Sequence, residues 1–231
     1  MKNTLLALVI TFTAFAAQAQ MVVTGKPGVT SDYRYRGISQ TQTHATLQAG
    51  VDFKDKSGFY LGTFNSGVSK ELYTGSKGVE TDVYGGYKKS FGKVAVDAGI
   101  MRYNYWGNDT FDTTEVYLGA EAGPLAVKAS RAVTDYFGTA NSKGTMYYEM
   151  NLSQPVGKIN LVAHAGYSDV ANNDANNYVD YNVGLTTDIA GLTVGAKWYT
   201  NNMKDSYKTV NTVNGKALYK DSFVFTVAKT F

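Results

Sequence analysis

The sequence predicts an all-β protein: a transmembrane antiparallel up-and-down β-barrel of about twelve strands, with ten or fourteen as alternatives. Three observations carry this. Apolar and polar residues alternate with period two in segment after segment. Tight turns and longer polar loops follow one another in strict alternation. Beyond a short N-terminal run, no apolar stretch approaches the roughly 18 residues of a membrane helix, and mean hydropathy is −0.23.

The first element is a leader. A positive charge at Lys2, an apolar run from Leu5 to Ala17 and small residues at Ala17 and Ala19 form a secretory signal peptide cleaved after Ala19. Residues 20–231 are then a single exported barrel domain. That domain carries 21 basic and 19 acidic side chains, too even a balance for a nucleic-acid partner. The absence of Cys excludes disulfides, thiolate metal sites and a Cys nucleophile.

Twelve strands are expected, at residues 29–37, 45–53, 58–66, 79–84, 94–106, 113–121, 125–134, 145–153, 159–167, 179–185, 192–198 and 218–231. The cleanest is 145–153, where Met146, Tyr148, Met150 and Leu152 alternate with polar partners. Segments 58–66 and 94–106 do not alternate cleanly along their whole length. Five tight turns are expected at 54–57, 89–92, 122–124, 154–157 and 188–191. Six longer loops are expected at 39–44, 67–78, 107–112, 135–144, 168–177 and 201–215. A barrel with two unequal rims produces that interleaving, and a Greek-key sandwich does not. A strand of about ten residues tilted by about 40° covers about 25 Å, the height of an outer-membrane apolar band.

Period two does not say which face meets lipid; the content of the faces does. One face is rich in Ala, Val and Thr, thin for a soluble core and suited to lipid. The other holds the candidate pore-lining residues Asp32, Arg34, Arg36, Glu80, Asp82, Lys88, Glu115, Lys128, Glu149, His164, Asp180 and Lys197. With Asp52, Glu121, Asp188 and Lys54 the count is nine acids to six bases, which leaves a small acidic surplus and predicts weak cation preference. Arg forks in the Asp32, Arg34, Arg36 cluster are expected to hold carboxylates. Aromatic belts are expected from Tyr33, Tyr35, Tyr103, Tyr105, Trp106, Tyr167, Tyr178 and Trp198 on the loop side, and from Phe53, Tyr87, Phe91 and Phe231 on the turn side. Phe223, Phe225, Val227 and Phe231 on one face of the last segment match the terminal signal of outer-membrane barrels. Lys229 can snorkel to the headgroups.

The run Thr30 to Gln40 (TSDYRYRGISQ) resembles the opening motif of the TorF family of proteobacterial porins. Gly58 to Val68 (GFYLGTFNSGV) resembles that family's third-strand motif, with Phe64 and Gly67 where the family has Trp and Asn, and Glu80 to Tyr87 (ETDVYGGY) fits its next strand. The resemblance spans residues 29–231 and is densest in the first third. It implies an outer-membrane barrel acting as a porin, with no defined solute.

Catalytic chemistry is not expected. His44 and His164 lack the His-x-Ser spacing that places both side chains on one strand face, and Ser168 lies about 13 Å along the strand from His164. Asp169, Asp174 and the Asn residues around them read as a solvated turn rather than a calcium loop. Gly50, Gly85 and Gly86 lie inside strands and form no phosphate cradle. The expected function is passive diffusion of ions or small polar solutes through the outer membrane without a cofactor. The alternative is a surface barrel that binds partners or adheres through its loops. Oligomeric state is open.

Overall fold

The computed structural model describes residues 21–203, 212–213 and 215–231. The expected signal peptide and part of the last loop lie outside them. Twelve strands close into one antiparallel barrel, each paired with its sequence neighbours and the last returning to the first. They are β1 (Val22–Thr30), β2 (Thr46–Lys54), β3 (Phe59–Gly67), β4 (Val79–Phe91), β5 (Val94–Tyr105) and β6 (Thr113–Ala122). The second half comprises β7 (Leu125–Ala132), β8 (Met146–Val156), β9 (Ile159–Asp169), β10 (Tyr178–Ile189), β11 (Leu192–Asn201) and β12 (Ser222–Ala228). No helix among the described residues is long and apolar enough to cross a membrane. The five tight turns overlap their expected positions, as do the four loops from β3–β4 to β9–β10; the first loop begins at Ser31 rather than at residue 39, and the last runs to Asp221, with part of it outside the described residues. In the β2–β3 turn, Asp55 accepts hydrogen bonds from the Ser57 hydroxyl (2.5 Å) and amide (2.7 Å). These bonds hold its carboxyl below the ordinary range.

The apolar faces look outward. Leu47 (77% exposed), Val183 (59%) and Phe225 (59%) stand on the outer surface with Leu118, Met150 and Ile100. So broad a band of exposed aliphatic side chains is incompatible with water and suited to lipid. The inward positions are polar. In register around the wall they include Asp52 on β2, Asp82 on β4 opposite Tyr103 on β5, and Glu149 on β8 opposite Lys128 on β7. Segments 58–66 and 94–106 alternate poorly because Tyr60, Phe64, Tyr103 and Tyr105 turn inward, while Thr63, Asn65, Arg102 and Asn104 sit at the alternate positions.

Glycines thin the wall where rings lie against it. The Tyr84 ring covers Gly62 on β3, its atoms 2.5–2.7 Å from where a Cβ would stand. Tyr60 covers Gly86, Tyr117 covers Gly99 and Tyr147 covers Gly166 in the same way. Gly86 therefore accommodates a tyrosine rather than a phosphate.

Three expectations are corrected. The first strand is Val22–Thr30, not 29–37: the chain leaves the wall after Thr30 and turns into the lumen. The last strand is Ser222–Ala228, shorter than 218–231. Among the loop-side aromatics Trp106 and Tyr167 are exposed on the outer surface, but Tyr33, Tyr103, Tyr105 and Tyr178 are buried, and Tyr35 packs against that buried cluster. Tyrosine alternation alone does not distinguish a belt from a lumen packing layer. On the turn side Tyr87, Phe91 and Phe231 are exposed, and Lys229 Nζ lies 4.9 Å from the Phe231 ring centre.

The β1–β12 seam aligns Gly28–Ala228, Val29–Val227 and Thr30–Thr226. Backbone bonds extend it at both ends, from Phe231 N to Gly25 O (3.0 Å), Lys229 N to Pro27 O (2.9 Å) and Ser31 N to Phe225 O (2.9 Å).

Candidate functional site: a lumen crossed by two hairpins

The β1–β2 loop enters the lumen as a miniature hairpin that pairs Arg34 with Ser39 and Tyr35 with Ile38. Its central residues, Arg36 (φ 48°) and Gly37 (φ 78°), are both left-handed, as a type I′ turn requires. Asp32 fixes its base by accepting from Arg34 Nε (2.6 Å), Ser39 Oγ (2.6 Å) and Thr41 Oγ1 (3.0 Å). A second hairpin in the β7–β8 loop has the same form, with Tyr136 bridging Thr139 around Phe137 (φ 44°) and Gly138 (φ 77°). Thr113 Oγ1 accepts from the Phe137 amide at 2.8 Å and holds this turn against β6.

The two turns meet inside the barrel. Arg36 Nη1 donates to the Tyr136 hydroxyl (2.9 Å), and the Tyr35 and Phe137 rings pack edge to face with centres 5.5 Å apart. The first hairpin also reaches the wall in several directions. Tyr33 donates to Glu80 on β4 (2.7 Å). Tyr35 donates to Tyr103 on β5 (2.9 Å). Arg36 grips Glu115 on β6 with both terminal nitrogens, at 2.9 and 2.7 Å. Its guanidinium lies 4.0 Å from the Tyr147 ring centre on β8, and its carbonyl accepts from Tyr178 on β10 (2.8 Å). Arg34 Nη1 donates to the carbonyls of Leu218 (3.2 Å) and Lys220 (3.0 Å) in the last loop. The hairpin is a strut across the loop-side lumen.

This locates the candidate residues. Arg34 and Arg36 belong to the strut, not to the polar face of a barrel strand. They hold carboxylates, Arg34 on Asp32 beside it and Arg36 on Glu115 across the lumen. Glu80, Asp82, Lys88, Glu115, Lys128, Glu149, His164, Asp180 and Lys197 lie on the inner wall. Further pairs are Lys26 with Asp52 (3.3 Å), Lys88 with Glu121 (2.6 Å) and Lys128 with Glu149 (2.7 Å). His164 sits between Asn151 Oδ1 (2.8 Å from Nδ1) and Asp180 Oδ1 (3.1 Å from Nε2), with the Tyr147 hydroxyl 3.0 Å from Nε2. After pairing, the count leaves Glu80, Asp82, Asp180 and Asp188 against Lys54 and Lys197. The Asp82 Oδ1 atom is buried without a hydrogen-bond partner among the described residues.

Sequence reasoning assigned the inward Tyr33, Tyr35, Tyr103, Tyr105 and Tyr178 to a belt and missed both hairpins. The available signal was the Arg36-Gly37 and Phe137-Gly138 dipeptides between strand-forming residues. They were obscured because Asn or Asp, not Arg or Phe, usually precedes Gly in such turns.

Solved structures with the same fold include the KdgM porin, at 10% sequence identity and a TM-score of 0.57 over 91% of this chain and 98% of that one. The NanC porin matches at 8% identity and 0.56 over 90% and 98%. The outer-membrane protein Omp33 of Acinetobacter baumannii matches at 10% and 0.52 over 90% and 97%. The KdgM porin has also been solved in complex with disordered oligogalacturonate. No curated protein matches the chain. Residues 14–231 match one family throughout, and the chain belongs to the Gcw_chp family of bacterial proteins of unknown function.

Proposed function

We propose that this protein is an outer-membrane, porin-like channel that passes ions or small polar solutes down their gradients. One observation carries the reading: a closed barrel with an apolar exterior encloses an interior lined with charged and polar side chains, an arrangement that serves a wet lumen and no soluble fold. The likeness of its first motifs to the TorF porins supports the same reading. The acidic surplus left after pairing favours cations and argues against polyanions such as the oligogalacturonate seen with the KdgM porin. Conductance in planar bilayers is the test. A reversal potential showing cation preference at 0.1 M KCl, fading toward 1 M as the Debye length falls from about 10 to about 3 Å, is expected. Anion preference at low salt contradicts the charge reading.

The strut gives the second reading its own support. A lumen crossed by two interlocked hairpins suits a barrel that binds partners through its loops and conducts little. Silent bilayers combined with loop-dependent binding favour that reading.

A further inference from the structure

Above the strut lies a cavity of about 330 Å³, walled by residues from all six loops. Its floor is the two hairpins, through Tyr35, Ile38, Gln40 and Phe137, and its sides include Leu72, Phe111 and Val170. Of three larger concavities, those of about 720 and 620 Å³ lie mainly among outward apolar residues and belong to lipid, and one of about 480 Å³ lies between the first two loops with Lys70 and Glu71 in its lining. The loop-side cavity differs from these and from the lumen below in being enclosed by loops, rich in aromatic rings and free of charged lining residues. Its size and mostly apolar lining are those of a small-molecule site.

The lining specifies what fits. Its tyrosine hydroxyls are largely engaged: Tyr35 bonds Tyr103, Tyr73 bonds Gln40, Tyr136 bonds Arg36, and Tyr178 bonds the Arg36 carbonyl. They offer ring faces and edges rather than free donors. The Asn176 side-chain amide and the Thr139 hydroxyl make no hydrogen bond to a described residue, so two polar handles remain. A sugar would lose water from many hydroxyls and recover few bonds. An organic ion would find no counter-charge in the lining. Phe137 is held in a left-handed conformation that a bulky residue rarely adopts, and Thr113 Oγ1 anchors it there. We infer that this cavity is a binding site for a small, uncharged planar ring carrying one hydrogen-bonding substituent. The ring would pack against Phe111 and Phe137, and the substituent would meet Asn176 or Thr139.

The site does not depend on conduction, so it is tested by binding. Calorimetry on the full chain in detergent would use indole and p-cresol as probes, with glucose and benzoate as the polyol and the anion. Saturable one-to-one binding of indole with a Kd on the order of 0.1 to 1 mM is expected, with glucose and benzoate at least tenfold weaker. Thr139→Trp, which fills the cavity, should weaken indole binding at least tenfold, and Asn176→Ala about threefold. Tyr181→Ala on the lipid face should leave it unchanged. Both loop variants replace side chains that make no hydrogen bond to a described residue, and altered migration on boiling verifies that each is folded. No saturable binding, full binding by Thr139→Trp, or equal binding of glucose or benzoate overturns the assignment.

Discussion

Removing Arg36 should release the strut while leaving the barrel closed. In the parent, Arg36 makes two charge-assisted bonds to Glu115, with both side chains nearly buried (7% and 3% exposed), and stacks over Tyr147. Truncating one partner of such a pair strands the other charge and costs about 3 to 5 kcal/mol. The lost ring contact adds about 1 kcal/mol. Tyr33, Asp32 and Arg34 keep their own anchors, so we take the ion pair's lower figure alone, about 3 kcal/mol, as the minimum loss in docking energy. At 1.4 kcal/mol per decade this raises the undocked fraction about a hundredfold. No barrel ladder passes through Arg36, so Arg36→Ala should still migrate as a heat-modifiable barrel. Single-channel recording reads the effect as longer or larger openings, and hydrogen exchange reads it as lost protection at residues 33–39. Arg36→Ala with Glu115→Ala should lose less than the sum of the single changes, because no stranded carboxylate remains. Unchanged conductance together with unchanged hairpin protection in Arg36→Ala would refute the reasoning.

Gly37→Val should act in the same direction, since φ is 78° and a Cβ there would stand 2.7 Å from the Asp180 Cβ; if the hairpin stays protected from exchange, its seating against β10 is wrong. Val183→Arg should destabilise the barrel by about 2 to 4 kcal/mol, and Asn182→Arg by much less, because Val183 is 59% exposed on the lipid side and Asn182 turns inward. Equal costs in urea titrations in lipid vesicles would invert the facing. Unboiled protein in detergent should migrate differently from boiled protein, because a closed barrel has no free edge from which to unzip; identical migration argues against closure.

The wall was legible because its signal is local and repeated. From β2 to β11 the strands carry period two, blurred only in β3 and β5 where rings turn inward, and each turn has Gly, Asn, Asp or Pro where the chain reverses. The strut was not legible, because Tyr33 and Tyr35 alternate with Asp32, Arg34 and Arg36 just as a wall strand would. The true first strand contains Gly25, Lys26, Pro27 and Gly28, which lower strand propensity and pushed the expected start downstream. Its place is secured by pairing with β2 from Val22–Lys54 to Thr30–Thr46. The candidate charges were recognisable as inward, but their partners were not. The Arg36–Glu115 pair spans 79 positions in the chain, and such a contact is decided by closure rather than by local pattern.

The seam between the first and last strands has a consequence for the order of assembly. It joins residues about 200 positions apart, the costliest loop to close, so it should form late. The same meeting delivers Leu218 and Lys220 to Arg34, and Ser31 Oγ to the Phe225 amide at 2.9 Å. The hairpin therefore gains part of its footing only when the circle is completed. Sealing the mouth and shutting the wall become a single cooperative step, and a half-assembled chain lacks both. A newly inserted barrel of this kind would pass from an open sheet to a guarded passage without lingering as an unguarded hole in the membrane.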